Sequence, residues 1–130
     1  MDRQMIQPNI ANGTIHYHDR SENISDVKWS KHSVFQGVYI KHMIKGADTC
    51  GLFSSHIVKI DPNCCLDQHC HENQLELHEV IEGEGVCQLV EERFDYRFGK
   101  MAVIPKGERH MVKAGEKGLT LLAKFFPAML

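Results

Sequence analysis

No stretch of this sequence stays apolar long enough to span a bilayer, and Lys124 interrupts even the C-terminal run LTLLAKFFPAML. The opening MDRQMIQPNIANG has no apolar central segment, so a secretory signal is not expected. Basic runs are missing too, and a net charge of −2 with a pI near 6.5 excludes an electrostatic nucleic-acid binder. There is no CxxC pair, and five cysteines is an odd count. That usage predicts free thiols in a reducing cytoplasm rather than a disulfide framework. Repeats, low-complexity tracts and a convincing amphipathic helix are also lacking. What remains is an ordinary globular composition, 42% hydrophobic and 25% charged over 130 residues, which is enough chain for one domain with a real core.

Short β-type segments fill the chain. Residues 34–44 are rich in β-branched and aromatic side chains, and 52–60 follow as LFSSHIVKI, stopped by Asp61-Pro62-Asn63. Further strands are predicted at 66–71, 76–82, 85–91, 93–97, 101–104, 109–114 and 118–126, separated by Gly, Pro, Asn or charged turns. Many short strands at close spacing predict an all-β sandwich or barrel. Before them the pattern is weaker: 14–17 reads as a short strand and 19–23 as a loop. Trp29, the only tryptophan, is expected to pack against the barrel or a second subunit.

Chemistry concentrates in PNCCLDQHCHENQLELHEVIEG, residues 62–83. His69 and His71 are two apart, so on a strand both imidazoles leave one face. Glu76 would face the other way on an unbroken strand, but Glu72-Asn73-Gln74 supplies a turn, after which Glu76 starts a second strand aimed back at the same point. His110 in GKMAVIPKGERH completes a set of three imidazoles and one carboxylate. That set suits one divalent transition ion per chain (Fe, Mn, Ni, Zn or Cu) better than calcium or magnesium. A helical zinc-protease motif does not fit, because Leu75 stands where His71-Glu72 would need a second histidine.

The other candidates each carry a bland reading. His78, two after Glu76, should face the same cavity as a proton-transfer residue, or else hold Glu76 in place. His56 is expected to be a core histidine satisfied by a backbone carbonyl, and His16 and His18 surface or interface residues rather than ligands. Cys70 should point away from the histidines into the packing between sheets. Cys64 and Cys65 sit in the preceding turn, and Cys87 reads as a small buried hydrophobe. Phe94, Tyr96 and Phe98 alternate and should pack one side of a strand.

The spacing resembles the two motifs of the cupin superfamily. The first reads Asn63, five residues, His69-Cys70-His71, four residues, Glu76, six residues, Gly83. The second reads Gly99, five residues, Pro105-Lys106-Gly107, two residues, His110, three residues, Ala114. Asn63 replaces a turn glycine, a mild change because Asn tolerates left-handed backbone angles. Ala114 replaces an asparagine that is not a ligand position. The resemblance implies a double-stranded β-helix, or jelly-roll barrel, at 46–130, with 1–45 as an N-terminal extension adding strands and a possible dimer contact. It implies a small-molecule substrate or ligand and a homodimer, while charge and the lack of long apolar runs argue against a nucleic-acid or membrane partner. Since the fold hosts many chemistries, two functions stand. One is a metal-dependent enzyme, dioxygenase- or isomerase-type, acting on an oxygen-rich small molecule. The alternative is a metal-containing binding or sensor module without turnover.

Overall fold

Antiparallel strands make up most of the computed structural model, which describes residues 6–130, with side chains from Asn9 onward. The first five residues of the predicted extension lie outside the described residues. A six-residue helix α1 (Ile6–Ala11) leads into the hairpin β1 (Thr14–His16) and β2 (Ser21–Asn23), then a 3-10 turn at Ile24–Asp26. β3 (Trp29–Lys31), β4 (Val38–Ile44) and a 3-10 turn at Gly46–Asp48 follow. The remaining strands are β5 (Ser54–Ile60), β6 (Cys65–His69), β7 (Leu75–Gln88), β8 (Arg93–Arg97), β9 (Met101–Ile104) and β10 (His110–Phe126). No described helix is long and apolar enough to cross a membrane.

β7 and β10 are long, and each serves two sheets. Their outer halves pair with each other around Glu76–Phe125, flanked by β9 on one side and by β5, β4 and β3 on the other. Their remaining halves pair again around Cys87–Val112, flanked by β8 and β6. Both strands turn the corner between sheets where the ladder is interrupted, between Ala114 and Leu119. Gly83 stands at that corner with φ +80°, and a Cβ there would sit 2.1 Å from the Gly118 carbonyl oxygen. Only glycine allows so close an approach of the two backbones. Sequence reading expects two strands at 76–82 and 85–91, and two more at 109–114 and 118–126. Each pair is one bent strand, because a corner in a continuous ladder needs the same glycines as a turn.

Alternation fills the barrel. Val58 and Ile60 of β5, Leu119 and Leu121 of β10, Tyr96 of β8 and Ile104 of β9 meet in one buried cluster. β5 is buried on both faces, since Ile57 points outward and is covered by Ile24, Met43, Ile10 and Ile15. This second cluster explains why an apolar Ile57 stands on the outer side of β5, where only Lys59 is exposed, and it fastens the N-terminal segment to the barrel. β3 and β4, both before residue 45, extend the sheet past β5. Residues 21–23, expected as loop, pair with β1 through the register Thr14–Asn23. Trp29 is 42% exposed, with the Lys41 ammonium 5.0 Å above its ring.

Candidate metal centre

Three local features bring the predicted residues together. Asn63 takes the left-handed conformation expected of it, φ +61°, and turns the chain into β6. β6 ends at His69, which lies directly opposite His110 in the ladder with β10. His71 lies beyond the strand, in the connection to the turn at Glu72-Asn73. Its backbone is fastened there because the His71 carbonyl accepts the Gly107 N–H at 2.9 Å, which ties the two motif loops to each other. β7 then carries Glu76 back beneath the three imidazoles.

Each of the four residues presents a donor atom to a common point, and all four atoms lie within 4.8 Å of one another. Metal–nitrogen and metal–oxygen bonds near 2.1 Å put opposite ligands ~4.2 Å apart, so only a small contraction separates this arrangement from a coordination shell. On two of the three imidazoles the ring nitrogen facing away is engaged. His69 Nδ1–H donates to the Asp67 carbonyl at 2.7 Å and His110 Nδ1–H to the Glu108 carbonyl at 2.9 Å. Those bonds fix the tautomer and leave the Nε2 lone pairs directed inward.

Electrostatics point the same way. Glu76 is 3% exposed, and its Oε1 lies 3.1 Å from His110 Nε2 without the alignment of a hydrogen bond. These two atoms are buried and have no hydrogen-bond partner among the described residues, an arrangement that is unfavourable unless a cation joins them. Burial alone would raise the Glu76 pKa, but His78 and His110 outweigh it and hold the carboxyl ionised. Burial pushes His69 down to about 4 and lowers His71 as well, so both rings are neutral and their lone pairs available. Burial also works against a charge on His110, yet the Glu76 carboxylate leaves its pKa raised. Three imidazoles and one buried carboxylate with unused lone pairs fit a borderline divalent ion.

His78 is 1% exposed and both its nitrogens are used. Nε2–H donates to Glu76 Oε2 at 2.6 Å, and Nδ1 accepts from the Tyr96 hydroxyl at 2.9 Å. Tyr96 is itself buried beside the fully buried Cys87, which raises its pKa further above the burial effect. Sequence reading placed Tyr96 in the packing without seeing this bond. The inward alternation of β8 against β7 was the available signal.

His56 is buried, but its partners are side chains rather than a carbonyl: His42 Nδ1 at 2.8 Å and Ser54 Oγ at 2.9 Å. Cys70, expected between the sheets, is half-buried with its thiol on Glu72 at 3.3 Å, because the strand has already ended. His16 is exposed on the outer hairpin with Ser21, and His18 is exposed beside it. Two residues that drew no attention in the sequence, His32 and Met129, line the cavity beside the cluster.

The sequence model of the cupin domain family matches residues 56–123, just over half of the chain. Several solved structures share the architecture. KdgF from a Halomonas species is 21% identical with a TM-score of 0.69, over 79% of this chain and 90% of that one. A protein described as a predicted oxalate decarboxylase from Thermotoga maritima is 21% identical with a TM-score of 0.72, over 79% and 95%. Ectoine synthase from P. lautus is 22% identical with a TM-score of 0.64, over 71% and 65%. None of the curated proteins matches. At these identities the structural likeness speaks to fold alone, and the residues matched by the family model span His69, His71, Glu76 and His110. Bent strands shared between two sheets, the paired motif loops and that match agree: the chain belongs to the cupin family.

Proposed function

We propose that this protein is a metal-dependent enzyme of dioxygenase or isomerase type, acting on a small molecule bound through oxygen at a centre formed by His69, His71, Glu76 and His110. The observation that carries this reading is the pair of buried, unpartnered atoms, Glu76 Oε1 and His110 Nε2, which converge with two neutral imidazoles. A divalent ion bound there supplies Lewis-acid polarisation of a coordinated oxygen. The chain's own residues do the rest. Glu108 and Asp67 carbonyls orient His110 and His69, and apolar walls keep the cavity poor in water. His78, with both nitrogens bonded, holds the Glu76 carboxylate and is a positioning residue rather than a proton carrier. His69, His71, Glu76 and His110 would hold such an ion at the edge of the cavity, where an oxygen of a bound small molecule could reach it, an arrangement suited to turnover rather than to a closed structural site.

The same reading takes 1–45 as an extension to a barrel at 46–130, a homodimer formed through that extension, and a cytoplasmic protein whose five thiols stay free. Metal-dependent product formation or dioxygen uptake, screened with small hydroxy-carbonyl and diol compounds, tests the enzyme assignment. Ligands that bind without any product would make the protein a metal-containing binding module instead.

A further inference from the structure

The cavity beside the cluster has a volume of about 130 Å³. A cavity of ~150 Å³ lined by Leu, Ile and Phe holds one benzene, so this one suits a body of similar size. Its apolar wall is Ile40, Val58, Leu66, Val112, Leu121 and Phe125, and among the described residues Glu76 is the one carboxylate that lines it. No lysine or arginine lines it among the described residues. Away from the ion, a second carboxylate or a row of hydroxyls in the body of the cavity would therefore lose its water without finding partners.

Apart from the cluster, and from His56 and His78 whose ring nitrogens are already paired, one polar side chain on the wall has a nitrogen to spare among the described residues. His32 follows β3, outside the segment that matches the cupin domain, and reaches the same cavity. Its Nδ1 accepts the backbone N–H groups of Val34 and Phe35 at 3.1 and 3.2 Å. Its ring stacks on Phe35 at 4.8 Å, and Phe35 in turn meets the His69 ring at 6.4 Å. With Nδ1 committed as an acceptor, the neutral ring carries its proton on Nε2, which has no partner among the described residues. The extension thus delivers a donor of fixed tautomer to a cavity otherwise short of donors.

We propose that the cavity selects a compact, uncharged molecule of about benzene size that binds the ion through an oxygen head, and that His32 Nε2–H donates a hydrogen bond to a ligand oxygen and so determines specificity. This rests on the metal-centre reading above, and the test separates the two. The full chain is loaded with Co2+, retention after desalting is verified, and its visible bands are followed during titration with catechol, oxalate or glucose. His32→Asn is the informative variant, because Asn Oδ1 takes the place of Nδ1 as acceptor for the Val34 and Phe35 N–H groups while Nε2–H is lost. Catechol should bind at least tenfold more tightly than oxalate or glucose, and His32→Asn should weaken catechol about tenfold with Co2+ content and oxalate binding unchanged. Oxalate or glucose binding as tightly as catechol overturns the ligand class while the metal site stands. Unchanged catechol binding in His32→Asn removes His32 from recognition. Protein that retains no Co2+ fails the metal reading itself, and this inference with it.

Discussion

Replacing His56 with leucine should remove much of the acid sensitivity of the metal-free fold. His56 is 1% exposed, and burial, followed by the neighbouring His42, lowers its pKa to about 4, with the Glu76 charge acting in the opposite sense. In the unfolded chain the same imidazole titrates near 6.5. Between those values the unfolded state binds the extra proton, so stability is whole above pH ~6.5 and falls as pH drops toward 4. The full difference is ~3 kcal/mol, and most of it is lost by pH 4.5. For a domain of this size that corresponds to a melting temperature lower by ~10 °C. Leucine keeps an apolar group against Phe125, whose ring meets His56 at 5.5 Å, and cannot titrate. The assay is urea unfolding of chelator-treated protein at pH 7 and pH 4.5, wild type against His56→Leu. Comparing each protein with itself cancels any fixed cost of losing the bonds to His42 and Ser54. The wild type should lose roughly 2–3 kcal/mol more than the variant across that interval. Equal losses would mean that His56 is charged in the fold, or that the pair with His42 opens to water.

Other expectations concern the centre and the barrel corner. His78→Phe strips Glu76 Oε2 of its donor and should weaken metal binding about 10–100-fold, measured by competition with a chromogenic chelator. Tyr96→Phe, one bond further away, should have a smaller effect in the same assay. Affinity unchanged in His78→Phe would reduce His78 to packing. Metal affinity should fall from about neutral pH downward, because His110, whose pKa is raised, takes up a proton first and His69 follows only near 4, and an affinity flat from pH 7 to 4 would contradict histidine ligation. Gly83→Ala places a Cβ against the Gly118 carbonyl at a positive φ and should destabilise by more than about 2 kcal/mol, read by thermal unfolding.

The candidate centre was legible because its chemistry sits in local spacing. His69 closes β6 and Glu76 stands near the start of β7 after the turn at Glu72, so β geometry aims these two, while His71 lies just past the strand and is held there by the Gly107 bond. Asn63 could be read as a left-handed turn residue from its side chain alone. The strand bounds were less legible. Gly83 and Gly118 look like turn residues in sequence, and only their mutual contact reveals a corner shared by two continuous strands. The pairing of His42 with His56 depends on the register between β4 and β5, which no local pattern encodes. His32 reaches the cavity through a bend held by its own ring, so neither strand periodicity nor a family motif marks it. His78 was correctly aimed by alternation, but the Tyr96 hydroxyl that occupies its second nitrogen comes from a different strand.

Metal content per chain, measured by elemental analysis on protein purified without chelator, tests the central claim most directly when His71→Ala is analysed alongside. The four-residue centre predicts close to one transition ion per wild-type chain, and loss of most of it in the variant with the barrel still folded. A wild type without metal, or a variant that keeps full occupancy, would contradict it.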